Sequence, residues 1–248
     1  MLPFLNFKKF DPGVISFPKK TLKEKNVTFM KTQHLIIALC TLLFSCNNLE
    51  TVEKKGPNGQ ILEKYTINKG TGTQEGLYQS FHPNGKIFRE SNYVNGKLHG
   101  VTKTYYESGA LESTETMQNG IFEGPYQKFY ENGKVSNEGQ YANNEMSGVW
   151  KRYFESGELM EEVNFAKNEE NGPFRFYHKN GKLSIAGNFL DGEYEHGDLQ
   201  EFDENGTLNR KMRCYLGVCL TTWTPEEGDI AIDTARLKEL GDAFKAAE

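Results

Sequence analysis

A repeat of 24 residues runs through most of this 248-residue chain and constrains its fold more than any other feature. Asn-Gly or Ser-Gly pairs recur with spacings of 24, 24, 24, 24 and 25 residues. The pairs are Asn84-Gly85, Ser108-Gly109, Asn132-Gly133, Ser156-Gly157, Asn180-Gly181 and Asn205-Gly206. A second glycine column keeps the same intervals and consists of Gly76, Gly100, Gly124, Gly148, Gly172 and Gly197. Self-similarity at a fixed period of this length is the signature of a repeat architecture.

Two further columns of the repeat are apolar and largely aromatic. Two residues after the second glycine stand Tyr78, Tyr126, Trp150, Phe174 and Leu199, with Thr102 as the exception. Five residues after it stand Phe81, Tyr105, Phe129, Tyr153, Tyr177 and Phe202. With 12 Tyr and 17 Phe residues, the chain is too rich in aromatics to be disordered.

Each repeat is predicted to be one β-hairpin. An Asn-Gly pair between runs of aromatic and β-branched residues is the strongest local hairpin signal, because a type I′ turn needs positive φ at both central residues. A turn centred on Asn84-Gly85 places His82 opposite Ile87 and Gly76 opposite Tyr93. The glycine at this position is expected to leave room for the facing tyrosine ring.

The hairpins are predicted to be joined by return turns at Asn95-Gly96, Asn119-Gly120, Asn143-Asn144 and Asp191-Gly192. An even period keeps the faces of successive hairpins aligned, since side chains alternate between the two faces of a strand. The single 25-residue interval, between Asp191 and Gly197, must place its extra residue in a loop or a bulge.

The predicted fold is all-β: an elongated single-layer antiparallel sheet of tandem β-hairpin repeats over residues 56–214, with a short C-terminal capping helix. A partial repeat covers residues 56–75, and full repeats begin at residues 76, 100, 124, 148, 172 and 197. Residues 215–248 form the cap, with the helix at about 233–246, where apolar residues follow helical spacing. Both faces of the sheet are expected to contact water, since only 37% of the residues are hydrophobic.

Residues 1–45 are predicted to be a signal region, with an export signal at residues 30–45. Lys31 precedes the apolar run from Leu35 to Phe44, which is too short to span a bilayer. The segment Leu43-Phe44-Ser45-Cys46 resembles a bacterial lipobox, which implies cleavage before Cys46 and lipidation of its thiol. The alternative is an ordinary secretory signal with an incidental cysteine.

The lipobox implies a bacterial cell-envelope lipoprotein that is anchored in a membrane and faces the periplasm or the cell surface, with the outer membrane as the expected site. Residues 46–55 are polar and charged, which indicates a tether between lipid and folded domain. Residues 1–29 contain no recognisable export signal. A mis-set start codon, with Met30 as the true initiator, accounts for them.

Cys214 and Cys219 are predicted to form a local disulfide, because the chain is expected to be exported and lipidation of Cys46 leaves an even number of thiols. A reduced pair in the end cap of the sheet is the alternative. Metal binding is the weakest interpretation, since no cluster of histidines accompanies the two cysteines.

The unit from Gly124 to Val135, which reads Gly-Pro-Tyr-Gln-Lys-Phe-Tyr-Glu-Asn-Gly-Lys-Val, resembles the bacterial variant of the MORN repeat. The resemblance covers about residues 56–214. Proteins built from this variant are often labelled YwqK-type antitoxins, the protective partners of secreted toxins. The resemblance implies a β-hairpin array that contacts protein or lipid, and it implies no catalytic residues.

A search for chemistry-bearing motifs finds no catalytic, phosphate-binding or dinucleotide-binding pattern. The chain is therefore predicted to be non-enzymatic, with no cofactor and no metal. His82 and His178 share a column with Tyr106, Tyr130 and Phe154, which indicates packing positions. A net charge of −5 argues against binding to nucleic acid.

The aromatic columns are the predicted binding surface, since Tyr, Trp and Phe beside Arg and Lys are typical of protein interfaces. The candidate residues are Tyr78, Phe81, Tyr105, Tyr126, Phe129, Trp150, Tyr153, Phe174 and Tyr177. The predicted function is that of a lipid-anchored envelope binding or scaffold protein that holds a protein partner on one face of the array. The alternatives are an antitoxin or immunity protein of a toxin-antitoxin pair, and binding of envelope glycan or lipid through the aromatic columns.

Overall fold

The computed structural model describes residues 48–247, which form one open antiparallel sheet and one helix. The first nine strands are β1 (Leu49–Lys55), β2 (Ile61–Asn68), β3 (Gln74–Phe81), β4 (Ile87–Val94), β5 (Lys97–Leu98), β6 (Gly100–Tyr105), β7 (Leu111–Gln118), β8 (Ile121–Phe129) and β9 (Val135–Ala142). The next nine are β10 (Glu145–Tyr153), β11 (Leu159–Ala166), β12 (Glu169–Tyr177), β13 (Leu183–Leu190), β14 (Tyr194–Glu195), β15 (Gly197–Phe202), β16 (Leu208–Tyr215), β17 (Val218–Thr224) and β18 (Gly228–Asp229). Helix α1 spans Thr234–Ala246. The predicted signal region and Cys46 lie outside the described residues.

Strands that follow one another in the chain pair antiparallel in the sheet. Two short strands, β5 and β6, together pair with β4, and β14 and β15 do the same for β13. The predicted fold class, an antiparallel sheet of tandem hairpins that ends in a capping helix, is confirmed. Since each hairpin pairs with the next one along the chain, the array is held together by contacts between neighbouring repeats.

The predicted tether is partly wrong. Residues 49–55 form β1, which pairs with β2 from Leu49 opposite Asn68 to Lys55 opposite Ile61. The Asn58-Gly59 turn therefore joins a full hairpin. The polar composition that indicated a tether is also typical of an edge strand, where charged side chains discourage uncontrolled pairing.

The hairpin turns differ in type from the prediction. In the loop at Asn84-Gly85, only the glycine has a positive φ, of 82°. The Gly85 N–H donates to the His82 carbonyl at 2.9 Å, and the His82 N–H donates to the Lys86 carbonyl at 2.8 Å. This is a three-residue loop, a type I turn followed by a left-handed glycine. The type I′ prediction for this column is therefore wrong.

A β-bulge follows each of these loops. Phe81 pairs with Ile87, whereas Ser80 pairs with Arg89, so Phe88 has no residue opposite it in the register. The same step occurs in the next hairpins of the array. Bulges bend the strand and increase its right-handed twist.

The loop and the bulge have opposite effects on register. The three-residue loop shifts the pairing by one residue relative to the predicted two-residue turn, and the bulge shifts it back. Gly76 therefore lies opposite Tyr93, as predicted. His82 does not lie opposite Ile87, because the shift occurs between the turn and the body of the strands.

The return turns lie where they are predicted. Asn95 and Gly96 have φ of 51° and 75°, the two positive values of a type I′ turn. Lys167-Asn168 and Leu216-Gly217 adopt the same conformation, although the sequence did not single them out. The extra residue of the 25-residue interval lies in a return loop, since Leu190 pairs with Tyr194 across three residues.

The second glycine column serves backbone conformation. Its six glycines all have positive φ, from 70° at Gly148 to 109° at Gly124. A Cβ atom at Gly76, Gly100 or Gly148 would meet nothing within 4 Å. The expectation that this glycine makes room for a tyrosine ring is therefore wrong. The positive φ accommodates a second irregularity in the pairing. Tyr93 pairs with Leu98, whereas Glu90 pairs with Lys103, so the register moves by two residues between these pairs.

One face of the sheet, called the inner face below, carries the core. Its buried apolar residues are Met117, Tyr126, Trp150, Val163, Phe165, Phe174, Ile185, Phe189, Leu199, Met212 and Cys214. Their rings contact one another across strands: Tyr126 and Trp150 have centroids 5.5 Å apart, and Phe174 and Phe189 stack at 4.1 Å. The expectation that both faces contact water is therefore wrong for the part of the inner face that carries these residues.

Side chains at the turn edge connect each hairpin to the next. The Asn84 side-chain amide donates to the Glu107 carbonyl at 2.9 Å, and Lys86 Nζ donates to the Ser108 carbonyl at 2.5 Å. His82 Nε2 lies 2.7 Å from the Tyr105 carbonyl oxygen. Equivalent contacts of Asn and Lys recur at alternate turns, 48 residues apart. The packing interpretation of the histidine column therefore has a specific form, a hydrogen bond to the neighbouring turn.

The C-terminal cap packs on the last hairpin. Asp233 is the N-cap of α1, and its carboxylate accepts the Arg236 N–H at 3.0 Å. Leu237 is 2% exposed, and a Cβ atom at Gly241 would overlap the Tyr215 backbone, so the helix lies close against β16. No helix among residues 48–247 is long and apolar enough to cross a membrane.

Candidate interaction surface

The outer face of the sheet, opposite the core, carries a row of exposed apolar side chains. We call this row the apolar stripe; its residues are Leu77, Val101, Pro125, Val149 and Pro173. Leu77, Val101 and Val149 are each 52% exposed, and both prolines are exposed. Five successive repeats thus place an apolar residue in solvent at the same position.

The glycine bulge positions the stripe, because each stripe residue directly follows a glycine of positive φ. Proline is tolerated there, since a bulge interrupts the hydrogen-bond ladder. Across the strands, Leu77 lies opposite Asn92 and Val149 opposite Asn164, so polar residues flank the stripe. Sequence reasoning missed this column, although the apolar residue after each glycine was a visible signal.

The stripe ends at the sixth repeat, where Asp198 takes the apolar position. Asp198 Oδ1 lies 3.1 Å from Arg213 Nη2, its neighbour across β15 and β16. Beside this end lies a shallow depression of about 320 Å³, lined in part by Pro173, Arg175 and Ala186. Ala186 in this depression is small, whereas the equivalent residue in the two preceding repeats is Glu138 or Glu162 in the sequence.

The aromatic column that lies five residues after the glycine is also on the outer face, where its rings are half-buried along the strands. Three of its tyrosines donate hydrogen bonds to glutamates of the preceding repeat, over 2.7 to 3.0 Å. The pairs are Tyr105 with Glu90, Tyr153 with Glu138, and Tyr177 with Glu162. These hydrogen bonds hold the three rings in place on the outer face.

The hydrogen bonds fix the charge states of these pairs. Hydrogen bonds from Gln79 and Tyr105 lower the pKa of Glu90 below its ordinary value. Burial and the hydrogen bond to Glu90 raise the pKa of Tyr105 to about 12. At neutral pH the glutamate is therefore an anion and the tyrosine a neutral donor.

Charges of both signs surround the aromatic column. Glu162 lies 3.6 Å from Lys151 Nζ and 3.9 Å from an Arg175 guanidinium nitrogen, besides accepting the Tyr177 hydroxyl. The outer face thus combines the apolar stripe with polar and charged neighbours.

Several residues predicted to form the surface belong to the core. Tyr126, Trp150 and Phe174 are 7%, 3% and 2% exposed, and Tyr78 packs against Tyr93 on the inner face with ring centroids 5.9 Å apart. Tyr126, Trp150 and Phe174 are therefore not part of an accessible surface, and Tyr78 is half-buried on the inner face. The remaining candidates lie together on the outer face; they are Phe81, Tyr105, Phe129, Tyr153 and Tyr177.

The inner face also buries carboxylates. Glu161 and Glu195 are 6% and 8% exposed, and Glu161 accepts a hydrogen bond from Arg152 at 2.7 Å. Burial and the nearby carboxylates of Glu193, Glu161 and Glu195 raise the pKa of Glu170 to about 7. No group of three or more His, Cys, Asp or Glu side chains within residues 48–247 is arranged to hold a metal ion.

The two cysteines of the C-terminal tail face each other across β16 and β17. Cys214 lies opposite Cys219 in the register, and the structure joins them in a disulfide. Cys214 is 2% exposed and ends the row of core residues. The bond closes the last return turn, Leu216-Gly217, beneath helix α1.

The hairpins coincide with matches to a known repeat. The family model described as "MORN repeat variant" matches residues 74–95, 98–119, 122–143, 146–167, 170–191 and 195–215, which together make up more than half of the chain. The chain belongs to the MORN repeat variant family. Each match covers one hairpin of this MORN array, with its Asn-Gly or Ser-Gly loop and its bulge glycine.

No curated protein matches the chain. The crystal structure of TcdB2-TccC3-Cdc42 includes a chain that is 12% identical over 70% of this MORN protein, with a TM-score of 0.22. The present chain spans 11% of that chain's length.

Proposed function

We propose that this MORN protein is a non-enzymatic binding protein that holds a protein partner on the outer face of its array. The observation that carries the proposal is the apolar stripe, a regular row of exposed Leu, Val and Pro side chains with a polar border. Consecutive repeats lie about 10 Å apart, since each contributes two strands at 4.7 to 4.9 Å. The partner is therefore an extended surface or segment that crosses several hairpins.

A charge placed in the stripe tests this proposal. Val101→Lys with Val149→Lys should weaken partner binding at least tenfold, because a buried lysine at the centre of an interface has no counter-charge. Glu155→Lys, which adds the same charge change at an exposed turn, is the matched control and should bind normally. Equal binding by the stripe variant and the control would refute the outer face as the binding surface.

We also propose that Cys46 carries a lipid anchor and that the array works at the bacterial envelope. The lipobox-like segment and the apolar run before it support this proposal. Cys46→Ala should release the protein from the membrane fraction without altering the thermal stability of the array. Unchanged membrane association of the variant would contradict the anchor, and the outer face could still bind its partner.

Two alternatives predict different co-purifying material. An antitoxin or immunity protein would be isolated with a toxin, and co-expression would abolish that toxin's activity. A glycan-binding protein would be retained on envelope polysaccharide through outer-face rings such as Tyr153 and Tyr177. The stripe favours a protein surface, because sugar binding relies on stacking against aromatic rings and does not require a row of aliphatic side chains.

A further inference from the structure

The two ends of the described sheet are finished differently. At the C-terminal end, β17 pairs with β18, and helix α1 packs on β16 and β17. At the N-terminal end, β1 is the edge strand, and all of its residues except Val52 are exposed. A seven-residue edge strand presents a row of unpaired backbone groups, which is a template for another strand.

The direction of these backbone groups follows from the pairing of β1 with β2. The Lys69 N–H donates to the Asn48 carbonyl at 2.6 Å. Along an antiparallel strand, every second residue forms hydrogen bonds with one neighbouring strand, and the backbone groups of the residues between them point to the other side. Even-numbered residues of β1 therefore bond to β2, and the N–H and C=O groups of Leu49, Thr51 and Glu53 point out of the sheet.

The sequence of β1 is complementary to itself when one copy runs antiparallel to another. With Val52 opposite Val52 of the second copy, Glu50 lies opposite Lys54 of the second copy, and this pairing occurs twice about the symmetry axis. Thr51 then lies opposite Glu53 of the second copy, so the outward-pointing N–H and C=O groups of the two strands face each other and form hydrogen bonds. In the next register with the same hydrogen-bonding pattern, either Glu50 or Lys54 lies opposite Val52 of the second copy, and both salt links are lost. A further slip of the same size places Glu50 opposite Glu50, or Lys54 opposite Lys54, of the second copy.

We propose that two copies of this chain associate through β1, which pairs antiparallel across a twofold axis at Val52 and joins two arrays into one continuous sheet. The contact is isologous, since the same strand serves both copies. It leaves the apolar stripe of both arrays free, so the proposal is independent of the partner-binding function.

A cysteine at the axis tests the geometry directly. In the proposed pair, the two Val52 residues form a non-hydrogen-bonded pair with Cα atoms about 4.5 Å apart, a distance that a disulfide can bridge. Val52→Cys in the full chain should therefore give a disulfide-linked dimer under mild oxidation. Leu49→Cys, whose two copies would be about 20 Å apart, should give no more dimer than the wild type.

Charge reversal tests the register. Glu50→Lys should weaken dimerisation about tenfold in sedimentation equilibrium, because it sets like charges opposite each other twice. Adding Lys54→Glu should restore the dimer, although that change also removes the 2.8 Å contact of Lys54 with Glu63 within one chain. A wild type that stays monomeric at high concentration, or a double variant that stays as weak as Glu50→Lys, would overturn the proposal.

Discussion

Glycine serves two separate purposes at the residue scale in this sheet. Gly148 and the other members of its column adopt positive φ at a bulge, with open space where a Cβ atom would be. Gly139 lies in a strand opposite Tyr126, and there a Cβ atom would overlap the Trp150 ring. The close approach of ring and backbone that the sequence predicted does occur, but at Gly139 and at Gly187 rather than in the repeating column.

The two purposes predict different responses to alanine. Gly139→Ala should destabilise the array by about 1 to 3 kcal/mol through overpacking against Trp150. In the Trp150→Leu background the same change should cost at least about 1 kcal/mol less, because the overlapping ring is gone. Urea denaturation of the four proteins in this cycle measures the coupling.

Gly148→Ala is the matched control, since its cost of about 1 to 2 kcal/mol comes from backbone strain. That cost should be the same with Trp150 or Leu at position 150. Gly139→Ala and Trp150→Leu effects that simply add would show that steric overlap does not explain the glycine at position 139.

At the element scale, the repeat period was enough to predict the hairpins and their pairing. It was not enough to predict the turn type or which aromatic column is buried. The 24-residue spacing was enough to predict the hairpins and the pairing of Gly76 with Tyr93. The turn type was wrong, because an Asn-Gly pair fits both a two-residue type I′ turn and the last two positions of a three-residue loop. The two aromatic columns look alike in the sequence. Alternation along β10 places Trp150 and Tyr153 on opposite faces, and the period alone does not say which of the two faces forms the core.

The return turns allow a direct test at this scale. Lys167 has φ of 53° in a position that Asn or Asp fills in four of the six return turns. Lys167→Asn should stabilise the protein by about 0.5 to 1 kcal/mol, because asparagine tolerates the left-handed conformation better. The reciprocal change Asn95→Lys, at φ of 51°, should destabilise it by a similar amount. Changes of the same sign in both variants, measured by thermal unfolding, would contradict this explanation.

At the scale of the whole molecule, a core with buried carboxylates makes stability depend on pH. The pKa of Glu170 is about 7 in the folded protein and ordinarily 4.5. The folded state thus binds this proton more tightly than the unfolded chain. The resulting stabilisation is fully present below about pH 4.5, and it is lost as the pH rises through 7.

Glu170→Gln removes this titration. The variant should be more stable than the wild type at pH 8, by on the order of 1 kcal/mol once solvent screening is allowed for, and equally stable at pH 4. Chemical denaturation at both pH values measures the difference. A variant that is less stable than the wild type at pH 8 would contradict a destabilising charge at this position.

Glu138→Gln on the outer face should change the pH dependence of stability in the opposite direction. Hydrogen bonds from Tyr153 and Gln127 lower the pKa of Glu138, so its stabilisation is present above about pH 4.5 and is lost on acidification. The variant should be less stable than the wild type at pH 7, and the difference should shrink towards low pH.

Photo-crosslinking in cells is the most direct test of the central claim that the outer face binds a protein partner. A photoreactive amino acid is placed at Val101 or Val149 in the stripe, or at Lys179, an exposed turn residue away from it. The account predicts that both stripe positions capture the same protein and that the turn position does not. Capture at Lys179 together with none at Val101 and Val149 would contradict it.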